Sequence, residues 1–274
     1  MKHQFYFNKT THSDSIDSLR EIWRNTLVAP QDDMWESFLA LATKIEIRTS
    51  NQTIGYACLN SENQVLQCFI IERWLEHGKE VFDQLINEFK VTSALVGTNN
   101  PVFLALAMPF QQSVEQNTLL FYDALESKLS NSEKPPVQLA WENDQDRLVD
   151  FYNDSTGAPK EWLNQYLGTL ISRGELYFMT EEETILGTSE VRNSETDLTV
   201  ADIGMVVSKN HRLKGYGAYL LGKAKELAYD QGRKPICSCE VNNVGSLKSI
   251  QKNGFRSIHR ILKLSFQTKK KVSE

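Results

Sequence analysis

Apolar and polar positions along the chain follow two periods. Apolar residues three and four apart predict helices over 16–27 and 34–43 in the first half, and over 148–153 and 161–171 in the second. The continuous apolar run Ile203–Val207 predicts a buried strand. A short polar turn follows it. Then Leu220, Leu221, Ala224, Leu227 and Ala228 form one stripe of a long helix, the pattern of a core-facing surface. That helix is expected to stop at Gly232, with Pro235 just beyond. A strand over Ile236–Val241 comes next, then Asn242-Asn243, a short helix over Ser246–Asn253, and Gly254-Phe255.

The two halves read as a diverged repeat. Ile54-Gly55 and the residues to Glu62 parallel Leu186-Gly187 and the residues to Ser194, and Asn99-Asn100 parallels Asn242-Asn243. The polar, proline-bearing stretch Ser130–Pro136 is the linker candidate. The expected domains are therefore residues 1–133 and 134–274.

The turn after Val207 reads Ser-Lys-Asn-His-Arg212-Leu-Lys-Gly215-Tyr-Gly217 and opens directly into a helix. The first amides of a helix have no partner within it, and the macrodipole adds positive potential there, so such a turn is suited to phosphate. It is not a P-loop, which needs Gly-x-x-x-x-Gly-Lys-Ser/Thr. Nor is it a dinucleotide fingerprint, because position 220 is Leu rather than a third glycine. Arg-x-x-Gly-x-Gly after a strand resembles the pyrophosphate-binding motif of the GNAT N-acetyltransferases. The likeness extends through Val207, Arg212, Gly215, Gly217, Asn243, Gly254 and Phe255.

The resemblance implies an α+β (α/β) chain of two tandem GNAT-like domains, each a mixed, mostly antiparallel sheet flanked by helices. Acetyl-CoA would be the co-substrate. Met205, Val206 and Val207 would offer backbone groups to the pantetheine arm and the thioester. Arg212, Leu213, Lys214, Gly215, Tyr216, Gly217 and Ala218 would form the pyrophosphate loop. Asn243 would bond the cofactor chain, cap a helix, or do both. In the first half the corresponding stretch, Ile70 to Gly78, has one glycine and acidic neighbours at Glu72, Glu76 and Glu80. Acid beside pyrophosphate is repulsive, so this half is expected not to bind CoA.

By the same resemblance the reaction is attack of a primary amine, from a small molecule, amino acid or peptide, on the thioester. The acceptor ammonium has an ordinary pKa of about 10.4 and needs a base. Asp202 is a candidate, since Asp is ill suited to a strand and costly if buried unpaired. Glu240, at the end of the neighbouring strand, is the alternative, and Glu190 is a third. Many relatives carry a Tyr acid four residues before the Gly of Gly-Phe; here that residue is Ile250. Ser246 or Ser249 would have to substitute, or the thiolate leaves unaided, or only CoA binding remains. The competing expectation is thus a non-catalytic acyl-CoA-binding module.

Composition narrows the class. Hydrophobic content of 41% and charged content of 24% are ordinary for a soluble globular protein. No apolar run approaches membrane-spanning length, and the first residues lack a signal-peptide core. The five histidines form no ligand cluster, so no metal is expected. Cys58, Cys68, Cys237 and Cys239 form no Cys-x-x-Cys pair, and Cys237 and Cys239 read as small packing residues on one strand face. A reducing cytoplasm is the expected compartment. Residues 1–133 hold 10 basic and 17 acidic side chains, and residues 134–274 hold 20 and 18. This balance does not suit nucleic acid, and the Lys269–Lys271 tail is too short to change that. The oligomeric state is not legible.

Overall fold

The computed structural model describes residues 4–11, 14–125, 134–195 and 197–267. The first half contains β1 (Tyr6–Thr10), α1 (Asp14–Arg24), α2 (Asp33–Leu41), β2 (Thr43–Arg48), β3 (Thr53–Leu59), β4 (Gln64–Ile70), α3 (Gly78–Phe89), β5 (Ser93–Gly97), α4 (Pro101–Ala107) and β6 (Gln111–Asp123). The same succession then returns as β7 (Gln138–Leu139), α5 (Gln145–Thr156), α6 (Lys160–Ser172), β8 (Leu176–Glu181), β9 (Thr184–Asn193), β10 (Val200–Val207), α7 (Tyr216–Asp230), β11 (Lys234–Glu240), α8 (Val244–Lys252) and β12 (Phe255–Phe266). The fold is α+β and is repeated in full. The linker candidate falls partly on residues 130–133, and the lysine tail on 269–271; both lie outside the described residues.

Matching residues do matching work in the two repeats. Gly55 stands opposite Ile70 across β3 and β4, and Gly187 stands opposite Val207 across β9 and β10. A Cβ on Gly55 would lie 2.2 Å from the Phe69 carbonyl oxygen, and one on Gly187 would lie 2.7 Å from that of Val206. Each glycine is there because the neighbouring strand comes too close for a side chain. Asn100 accepts the Phe103 amide at 3.2 Å, and Asn243 accepts the Ser246 amide at 3.1 Å. Both asparagines are therefore helix N-caps.

The chain forms two compact units, residues 1–119 with 259–274, and residues 120–258. Both β6 and β12 are thus divided between units, which differs from a single cut at 133/134. In the first unit the strand order is β1-β2-β3-β4-β5-β12. The end of β12 pairs antiparallel with β5, from Ile261 opposite Gly97 to Ser265 opposite Ser93. Leu264 and Phe266 enter that unit's core, where Phe266 meets Phe82 edge-on at 5.9 Å.

In the second unit the order is β6-β11-β10-β9-β8-β7. The end of β6 is fixed there by a buried ion pair, Lys225 Nζ to Asp123 Oδ2 at 2.8 Å, and by the Tyr229 hydroxyl donating to the same oxygen at 2.7 Å. Lys225 also donates to the Asn253 carbonyl at 3.0 Å. The α7 stripe read from sequence is corrected on this face. Leu227 is only half-buried, while Lys225 is buried, because Asp123 arrives from a distant strand to neutralise it.

Candidate functional site

The site lies where two parallel strands part. β10 and β11 are in register only at Val200–Lys234, Ala201–Pro235 and Asp202–Ile236. Beyond Asp202, β10 stays paired to β9 but not to β11. Its first four residues are buried, whereas Gly204, Met205, Val206 and Val207 are all half-exposed. Backbone groups on the open edge of β10 are therefore available to a ligand chain laid between the strands.

At the mouth of this opening β10 runs into the loop that starts α7. Gly215 is the N-cap residue at φ 79°, a left-handed conformation that costs glycine nothing, and no side chain caps the helix. Leu213 is also left-handed, at φ 63°, with its side chain fully exposed. A non-glycine residue held there is strained by about 1–3 kcal/mol, and alternating left-handed residues turn successive amides toward one concave side. The first intrahelical bond is Tyr219 N–H to the Gly215 carbonyl at 3.2 Å, which leaves the amides of Tyr216, Gly217 and Ala218 at the helix entrance. Nothing lies within 4 Å of a Cβ placed on Gly215, so the space in front of the loop is open. A Cβ on Gly217 would lie 2.9 Å from Ser249 Oγ and 3.7 Å from Met205 Sδ, so this glycine brings α8 and β10 close to the loop. These features fit a phosphate-bearing chain.

Arg212 directs its guanidinium back into the protein, donating to the Ser155 carbonyl at 2.7 Å. That bond fastens the loop to the last turn of α5, where helix carbonyls carry partial negative charge. Asn243 lies at the exposed start of α8, beyond the end of β11. Ile250 is buried and bears no proton to donate. Ser249 donates to the Gly245 carbonyl at 3.0 Å.

The carboxylates differ sharply in surroundings. Glu240 is exposed at the end of β11. Asp202 is 1% exposed, and its Oδ2 accepts from Arg192 Nη2 at 3.0 Å. Arg192 also binds Glu190, which is itself buried and accepts from the Tyr152 and Tyr166 hydroxyls, each at 2.6 Å. Burial, with the Glu190 charge beside it, pushes the Tyr152 phenol well above its ordinary value, so it remains a donor. Gly204 makes room for this arrangement, since a Cβ there would lie 3.0 Å from Arg192 Nη1.

Sequence reading did not find Arg192, Tyr152 or Tyr166. One signal was present: Glu190 and Arg192 alternate on a strand whose neighbours are apolar, so two charges share one buried face. Among the described residues no cluster of His, Cys, Asp or Glu could hold a metal ion. All four cysteines are buried and none is in a disulfide, and burial pushes the Cys58 thiol up to about 12.

A family model described as an acetyltransferase (GNAT) domain matches residues 12–124, and one described as the acetyltransferase (GNAT) family matches residues 135–255. The chain is a tandem GNAT protein. An acetyltransferase of the GNAT family from Colwellia psychrerythraea superposes with a TM-score of 0.89 at 28% identity, over 96% of this chain and 100% of that one. A GCN5-related N-acetyltransferase from Sphaerobacter thermophilus gives 0.66 at 14% identity, over 96% of each chain. A tandem GNAT protein from the clavulanic acid biosynthesis pathway gives 0.65 at 12%, over 97% and 100%. The last two show the fold alone. No curated protein matches the chain. Membership of this family supports acyl transfer from an acyl-CoA. Among the described residues no helix is long and apolar enough to cross a membrane.

Proposed function

We propose that the second unit binds acetyl-CoA and that the chain transfers the acetyl group to a primary amine of a small molecule, amino acid or peptide. One observation carries this reading: the opening between β10 and β11, with its uncapped glycine loop, has a filled counterpart in the first unit. There β4 and β5 also part, after Val65 and Ala94. Yet every residue of β4 from Val65 to Ile70 is buried. A short 3-10 turn over Glu72–His77 runs straight into α3, and the Gly78 amide is spent on the Leu75 carbonyl. Leu106 presses on Gly78 so closely that a Cβ there would lie 2.5 Å from it. Side chains occupy the first opening, and the second is open.

When bound, acetyl-CoA supplies an activated acyl group. The loop amides of 213–218 hold its phosphates, the open edge of β10 at Met205–Val207 aligns its arm, and Asn243 bonds the chain from the start of α8. Of the three candidate bases, Glu240 is the accessible one, since Asp202 and Glu190 are buried. Asp202 is buried and bonded to Arg192, so an acceptor cannot reach it. We therefore assign Glu240 as the base and Asp202 as the residue that fixes Arg192.

Calorimetric titration with CoA is expected to give one site per chain. Two sites would mean that the first unit is not filled in solution. Thiol release from acetyl-CoA across a panel of amines then tests catalysis. The second reading, a non-catalytic acyl-CoA-binding module, is favoured by the buried Ile250 at the position where relatives carry a proton donor. CoA binding without thiol release from any amine would select it.

A further inference from the structure

We infer that the first unit holds a binding site for a small carboxylate, between α1 and the strands β3 and β4, formed by Arg20, Trp23, Tyr56 and Gln67. It does not depend on the CoA site. Trp23 and Gln67 are 1% exposed and Tyr56 is 0% exposed. Yet the Trp23 indole Nε1, the Gln67 amide Nε2, the Tyr56 hydroxyl and Arg20 Nε are all buried with no hydrogen-bond partner among the described residues. An orphaned buried donor is costly and native proteins keep few, so four in one region call for an acceptor. Their placement is shared. Trp23 follows Arg20 by three residues, on the same side of α1. Tyr56 and Cys58 point the same way from β3, and Gln67 stands opposite Cys58 on β4, with Cys58 Sγ 3.9 Å from Gln67 Oε1. Trp23, Tyr56 and Cys58 pack in a single cluster. Burial pushes the Tyr56 phenol well above its ordinary value, so it keeps a proton to donate; the Arg20 charge opposes that rise at Tyr56 and at Cys58, which places the guanidinium near both.

The second repeat shows what such donors hold. Counted from the matching glycines Gly55 and Gly187, Cys58 occupies the place of Glu190. The buried Glu190 carboxylate accepts from the Tyr152 and Tyr166 hydroxyls and from Arg192. In the first unit a phenol, an indole, an amide and a guanidinium are present and the carboxylate is not, and a thiol is only a weak acceptor. The carboxylate of a bound molecule supplies what Cys58 does not. Arg20 also pairs with Glu36 at 2.5 Å, and these two side chains are 18% and 20% exposed, so the site meets the surface there. The inner donors are closed off, so entry needs α1 and α2 to part locally.

The test is NMR of the nitrogen-15-labelled full chain, titrated with formate, acetate and propionate, and with acetamide as the uncharged counterpart, at an ionic strength held constant with chloride. The Trp23 indole N–H resonance is assigned by its loss in Trp23→Phe. It is expected to shift saturably with at least one carboxylate and not with acetamide. Tyr56→Phe and Gln67→Leu should each weaken that carboxylate's dissociation constant about tenfold, the loss of one bond to a charged acceptor. Without ligand neither variant should melt below wild type, because a donor that has no partner loses no bond when it is removed. Cys58→Glu should supply the carboxylate from within and abolish the response to the added one. If that variant does not fold, the two milder substitutions still decide. No saturable shift with any of the three carboxylates overturns the inference. So does an equal response to acetamide, which would mean that the donors serve water or any polar solute. Unchanged carboxylate affinity in both Tyr56→Phe and Gln67→Leu overturns it as well.

Discussion

Asp202 and Arg192 face each other across β10 and β9, with Gly204 and Glu190 as the next pair on the same face. This register explains why two neighbouring core strands tolerate three charges between them. It also separates the two carboxylates experimentally. Asp202→Asn should cost stability, about 3–5 kcal/mol if the ion pair is the main term, because part of the Arg192 charge is left buried without its partner. Turnover per folded molecule should hold. Glu240→Gln should do the reverse, lowering turnover by about 10²–10⁴-fold with melting unchanged. Denaturant melts and kinetics on both variants decide, and the opposite pattern would restore Asp202 as the base. Asn243 can be dissected in the same way. Asp is an equally good N-cap, so Asn243→Asp should keep the melting temperature. It removes the amide donor and adds negative charge, so CoA affinity should fall. Unchanged affinity would leave Asn243 as a cap alone, which is the role Asn100 has in the first repeat.

At the scale of elements, the α7 loop combines strain, exposure and uncapped amides. Gly215→Asp should abolish CoA binding, since a carboxylate at the helix entrance competes with phosphate for the same amides. Asp is among the residues that tolerate a left-handed backbone, so the fold should persist at a cost of about 1 kcal/mol. Calorimetry on a variant that still melts cooperatively is the check, and retained affinity would mean that phosphate binds elsewhere. The counterpart, α3, shows how such an element loses its site without losing its fold. A turn consumes its entrance and Leu106 fills the space in front.

For the whole molecule, the decisive feature is that β6 and β12 each belong to two compact units. The buried Lys225–Asp123 pair fixes β6 in the second unit. Although burial alone would raise it, the hydrogen bonds from Lys225 and Tyr229 hold the Asp123 carboxyl below its ordinary value of 3.8. A depressed folded pKa contributes stability that is present above about pH 4 and drains away as pH falls through the folded value. Melting temperature should therefore drop on acidification below that point. Asp123→Asn should be destabilised by about 3–5 kcal/mol at neutral pH and should show less of this acid-dependent loss. A variant as acid-sensitive as wild type would place the dependence in other carboxylates, such as Glu46, which is also held low.

The sequence by itself determined what short-range physics controls. Apolar periodicity set the order of strands and helices, and turn chemistry marked the loop at 212–217. Paired asparagines and glycines exposed the repeat, because each meets a local need: a helix cap, or a close strand. The tertiary structure alone decided which distant groups meet. Asp202 acquires Arg192 only through the β9–β10 register, and Lys225 is buried only because Asp123 reaches it. Lys134 reaches the loop before α7 across 80 residues. The last strand enters the first unit with no cue in its own residues, since a strand's pattern specifies a buried face and not the neighbour it will pair with. The filled and open clefts differ for the same reason: whether side chains such as Leu106 occupy a gap depends on packing among elements far apart in the chain.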